Sequence, residues 1–145
     1  MLNVVAALVV LHGVMAIDAV KEEEVATKGE QAVHGQATRT PISQVAAYLQ
    51  DVLGQRLTAV VGGASDAKAV GKWAKGVRSP QPDSELRLRH AYQMAQLLIQ
   101  HESAETVRAW FLGMNPELED EAPAVVIGED PQRVLQAAQT FLAQG

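Results

Sequence analysis

The stretch Leu57–Arg78, LTAVVGGASDAKAVGKWAKGVR, decides how the rest of the chain is read. A short apolar piece, Leu57 to Val61, stops at Gly62-Gly63. Glycine ends helices and permits the positive φ of a tight turn. Ser65 and Asp66 follow, both good N-cap residues. Ala67, Val70 and Ala74 then recur at helical spacing and make one apolar stripe. Lys68, Lys72 and Lys75 stand at i, i+4 and i+7 and share another face. Gly76 closes this second helix, with Pro80 beyond it. An apolar helix, a glycine turn and a second helix with a basic stripe form a helix-turn-helix, whose second helix enters the DNA major groove. The same lysines also fit the solvated face of an ordinary helix hairpin. The turn chemistry, which such a face does not need, favours the first reading.

Working outward, Ile42, Val45, Ala46, Leu49, Val52 and Leu53 follow a 3.6-residue period and predict an amphipathic helix. Pro41 marks its start, with Ser43 as a candidate cap, and Gly54 marks its end. Beyond the basic helix, Pro80 and Pro82 mark a loop, and Asp83 or Ser84 is expected to cap a long helix reaching His101. Leu88, Ala91, Ala95, Leu98 and Ile99 form its stripe, with Leu86, Tyr92 and Met94 at the margins. Arg87 and Arg89, near its start, are placed to reach phosphates or to serve as plain surface charge. A further helix is expected over Ala104–Leu112, after Ser103 and before Gly113. Asn115-Pro116 marks a turn in which Leu118 anchors a short helical piece. Pro123–Gly128 is read as extended, or as placing Val125 and Ile127 against the core. Asp130-Pro131 is an N-cap followed by an N1 proline, and Pro131–Ala143 forms the last helix. No strand pair, repeat or heptad appears. The expected class is all-α, a helix-turn-helix bundle followed by a small helical domain.

The first forty residues are of another kind. Met1–Val20 is apolar over nearly the length of a membrane span, but it has no basic residue before Lys21 and no clear cleavage site. Three readings compete: a segment packing on the domain or on a second copy, a membrane segment, or a start codon assigned too early. Weak flanking charge disfavours the membrane. Lys21–Arg39 is polar and reads as a linker. The expected organisation is residues 1–40 as apolar segment and linker, 41–101 as the helix-turn-helix domain, and 102–145 as the C-terminal domain.

The chain has 145 residues and a net charge of −5, unevenly spread. Residues 1–63 carry four basic and six acidic groups, 64–90 six and three, and 91–145 two and eight. The only basic region therefore coincides with the proposed recognition helix and the segment after it. The acidic C-terminal part should face away from DNA or meet another partner. There are no cysteines, which excludes disulfides, thiol catalysis and cysteine zinc sites and fits a cytoplasmic protein. His12, His34, His90 and His101 lack metal-binding spacing, and no phosphate loop, calcium loop or serine elbow occurs. Neither metal nor cofactor is expected, and the chain reads as a binding protein, not an enzyme.

From about Gly54 onward, the order of features resembles the antitoxins of the Xre/MbcA/ParS type. Val70, Trp73 and Gly76 in AVGKWAKG, before Pro80, match the family's recognition helix and its exit. Ala91-Tyr92 and Leu97-Leu98 match its connecting helix. Trp110-Phe111, Asn115-Pro116 and Leu118 match the segment that marks its toxin-binding domain, and Pro123, Gly128 and Val134-Leu135 match the ending. The resemblance covers about two thirds of the chain and implies an antitoxin of a type II toxin–antitoxin pair. Its partner would be a RES-domain toxin that consumes NAD⁺, and its promoter DNA a second target. The expected DNA contacts are Lys68, Lys72, Lys75, Arg78 and Arg87. The expected toxin-binding residues are Trp110, Asn115, Glu117, Glu119 and Glu121, with Trp110 also readable as core. A homodimer or a larger assembly with toxin is expected. The competing reading is a helix-turn-helix transcriptional regulator with a helical dimerisation domain and no toxin.

Overall fold

The computed structural model describes residues 40–145. The apolar Met1–Val20 and the linker Lys21–Arg39 lie outside the described residues. The architecture is all-α, as expected, with seven helices among the described residues. These are α1 (Ile42–Leu53), α2 (Gln55–Gly62), α3 (Lys68–Ala74), α4 (Pro82–Ile99), α5 (Ala104–Leu112), α6 (Pro123–Val126) and α7 (Pro131–Gln144), with a 3₁₀ turn at Pro116–Leu118 between α5 and α6.

The helix ends follow from local chemistry. Both α2 and α3 finish in Schellman motifs. Gly63 N–H donates to the Val60 carbonyl and Ala64 N–H to that of Ala59, with Gly63 at φ 71°. Gly76 N–H donates to Trp73 and Val77 N–H to Lys72, with Gly76 at φ 75°. Each left-handed glycine satisfies carbonyls that the helix would otherwise leave open. Ser103 caps α5 by accepting from Thr106 N–H, and Asp130 caps α7 by accepting from Arg133 N–H.

Several boundaries differ from expectation. α4 begins at Pro82, not Ser84, because proline at N1 sacrifices no helical donor. Its N-cap is Gln81 without a side-chain bond, and Asp83 and Glu85 lie in the first turn. Ser43 lies inside α1, whose N-cap Pro41 makes no side-chain bond. Asp66 accepts from Lys68 N–H at 2.9 Å, whereas Ala67 occupies the N-cap of α3. Pro123–Val126 is a helical turn and not extended, so Val126 and Ile127 are buried and Val125 is exposed. The helical period of 3.6, not the strand period of 2, decides which valine faces inward.

One core runs from Val45 to Ala138. α1 packs on α3 and α4, α2 on α4 and α6, and α4 also on α7. Burial is therefore continuous across residues 101 and 102. Phe111, Leu49, Leu88, Met94 and Leu98 are among its largest fully buried side chains. Tyr92, placed at the margin by the sequence, is buried and meets Tyr48 edge-on at 5.1 Å.

Candidate functional site

The helix-turn-helix is built on small residues. A β-carbon at Gly62 would stand 3.2 Å from both Trp73 and Leu88, so α2 approaches α3 and α4 so closely that an added side chain would press on both. Val70 and Trp73 are buried beneath α3. The opposite face of α3 is left to Lys68 and Lys72, with Lys75 and Arg78 just beyond its end, and all four are exposed.

The cations divide into two groups. Outside the segment 55–78, every arginine of the described residues is engaged by the protein. Arg89 pairs with Glu85 at 3.0 Å and donates to the Thr40 carbonyl at 2.7 Å. Arg108 donates to the Val52 carbonyl at the end of α1, at 2.8 Å. Arg133 donates to the Glu117 carbonyl at 2.9 Å. Arg87 pairs with Asp83 at 3.5 Å. By contrast, Arg56, Lys68, Lys72, Lys75 and Arg78 have no side-chain hydrogen bond or ion pair among the described residues. Five unpaired, exposed cations in one helix-turn-helix make a surface suited to phosphate. Arg56, in the first turn of α2, is not among the contacts expected from sequence.

Arg87 is set apart from the other expected DNA contacts. Its guanidinium lies over Gly63, and a methyl group at Gly128 would overlap it. The side chain therefore bridges the turn before α3 and the turn before α7.

The expected partner-binding residues gather around one loop. Asn115 closes it at both ends: its Oδ1 accepts from Glu117 N–H at 2.9 Å, and its backbone forms an isolated bridge with Glu121. Asp120 N–H donates to the Asn115 carbonyl at 2.8 Å. Glu119 and Asp120 adopt left-handed conformations at φ 57° and 68°. Pro116 starts the 3₁₀ turn and Leu118 is buried. Asn115, Pro116 and Leu118 thus each hold the loop's shape. What the loop offers to solvent is four exposed carboxylates, Glu117, Glu119, Asp120 and Glu121.

Trp110 is almost fully buried, edge-on to Phe111 at 5.2 Å and tilted to Phe141 at 6.4 Å. Its indole N–H is buried without an acceptor. Leu112 and Met114, which follow it, are exposed. Neither is marked out by the sequence pattern, because both fall at the end of a helix and beyond it. Among the described residues no cluster of three or more His, Asp or Glu could hold a metal. Nor is any helix there long and apolar enough to cross a membrane. No protein-family model matches the chain, and no curated protein or solved structure matches it either.

Proposed function

We propose that this chain is the antitoxin of a type II toxin–antitoxin pair, acting in the cytoplasm by binding and not by catalysis. Its helix-turn-helix binds the promoter of its own operon. Its C-terminal region binds and neutralises a RES-type toxin that consumes NAD⁺. The observation that carries the DNA half is the division of cations: those of residues 56–78 are unpaired, while the arginines outside are engaged. Arg89, Arg108 and Arg133 have committed donors to backbone carbonyls, whereas the unpaired cations remain for phosphates. The partner half is supported by the rigidly held acidic loop at 115–121. A toxin that accommodates the phosphates of NAD⁺ has reason to carry a basic entrance, and an acidic loop complements it.

The first test is whether a RES-domain protein is encoded beside this gene, and the second is reconstitution of that protein with this chain. NAD⁺ consumption by that toxin should stop on adding this chain in equimolar amount. Undiminished consumption with no complex on gel filtration would remove the antitoxin reading. The second reading is a transcriptional regulator that dimerises through its C-terminal region. The exposed Leu112 and Met114 favour it, since such side chains suit contact with a second copy. It predicts promoter binding as a dimer and no effect on any toxin.

A further inference from the structure

The two ends of the proposed activity meet on one side chain. Leu88 in α4 packs on Gly62, and its neighbour Arg87 lies over Gly63, so α4 touches both glycines of the turn. A β-carbon at Gly63 would be in ordinary contact with three atoms of the guanidinium, at 3.6–3.7 Å. Gly63 is the left-handed residue from which the chain turns toward α3. Gly128 belongs to the connection between α6 and α7, in the C-terminal region. Any side chain there would overlap the Arg87 guanidinium. Polar anchoring of the group is weak. Its one ion pair is with Asp83, whose side chain is 82% exposed, and no hydrogen bond holds it among the described residues. An exposed pair of this kind contributes little. The guanidinium thus lies close against the Gly128 turn and beside Gly63, with space for one β-carbon between it and Gly63.

We propose that Arg87 is a positioning residue that couples the Gly128 turn to the Gly63 turn, and so sets how α3 presents Lys68 and Lys72. This rests on the DNA-binding reading above. A change at Gly128, whether by substitution or by a partner held on the C-terminal region, displaces the guanidinium. The displaced group leaves its place beside Gly63, and the entry to α3 loosens. Coupling of this kind needs a physical element that both sites bias, and Arg87 is that element.

The test uses the full chain as wild type, Gly128→Ala, Arg87→Ala and the double variant. Amide hydrogen exchange from Gly63 to Ala74 is read first, without DNA. Affinity for a duplex from upstream of the gene is then measured at two salt concentrations. Gly128→Ala and Arg87→Ala should each speed exchange at Ala64–Val70. Each should weaken DNA binding about tenfold, within the usual range for coupled sites. The double variant should be no weaker than either single one. The salt slope should stay at the wild-type value, because the same phosphates are still neutralised. Arg87→Lys serves if Arg87→Ala unfolds: it keeps the charge but not the planar group, and should match Gly128→Ala. Unchanged exchange in Gly128→Ala overturns the proposal. So do additive losses in the double variant, or a slope lowered by about one in Arg87→Ala, which marks direct pairing with a phosphate. If the wild type binds no duplex, the DNA reading fails while the exchange data still decide the coupling.

Discussion

Trp73 in α3 packs directly on Gly62 in α2, so close that a β-carbon at Gly62 would lie 3.2 Å from its ring. This packing fixes the helix-turn-helix geometry before any charge is considered. Gly62 is helical, so alanine there would gain in helix propensity what it loses by crowding. A larger residue has no such balance. Gly62→Val should destabilise the protein by about 2 kcal/mol, as overpacking typically does. In urea denaturation the midpoint should fall with the slope unchanged.

Lys68 and Lys72 are exposed and unpaired, so their removal should leave the fold intact. Lys68→Ala with Lys72→Ala should change stability by less than about 0.5 kcal/mol per site. Promoter binding should weaken, with the salt slope falling by about one for each phosphate no longer neutralised. Binding that is unaffected at every salt concentration would show that α3 is not the recognition helix.

In the acidic loop, shape and charge separate. Asn115→Ala removes the acceptor for Glu117 N–H and should cost about 1 kcal/mol in thermal denaturation. Glu119→Gly removes a charge at φ 57°, where a side chain is strained. Its stability should stay level or rise by up to about 1 kcal/mol. Glu117→Lys with Glu121→Lys should leave the melting temperature unchanged and slow association with the proposed toxin partner. An association rate that ignores both charge and salt would exclude electrostatic steering by this loop.

Burial, and next the neighbouring Tyr92, raise the pKa of the Tyr48 phenol above its ordinary 10.0. The folded state therefore keeps this proton at a pH where the unfolded chain releases it. The stabilisation is fully present below pH 10 and is lost as pH rises through the folded pKa. Denaturation curves collected above pH 10 should show falling stability, and Tyr48→Phe should flatten that fall.

Much of the helical layout is legible in the sequence because its signals are local. Gly54 and Gly63 mark ends of α1 and α2, and Ser103 and Asp130 mark starts of α5 and α7, each within one turn of the boundary. The stripe Val45, Ala46, Leu49, Val52 and Leu53 is buried as its period requires. The lysines of α3 are legible as one face for the same reason. The start of α4 is misleading in sequence because Asp83 and Ser84 are good caps in isolation, whereas Pro82 is already suited to the first helical position. The placing of Val125 fails because four residues hold too little pattern to separate a turn of helix from a strand.

Residue order alone is enough to specify an all-α chain, a glycine-hinged pair of helices and a basic segment flanked by acidic ones. Those properties depend on neighbours within a few residues, where propensity, capping and periodicity act. Which charges are available is settled only by tertiary packing. Arg89, Arg108 and Arg133 look like the other basic residues in the sequence, yet each reaches a carbonyl far along the chain. Arg87 looks like a surface cation, yet it lies against Gly63 and Gly128. A guanidinium's partner depends on which backbone segments packing brings within hydrogen-bonding reach, and that depends on the whole core at once.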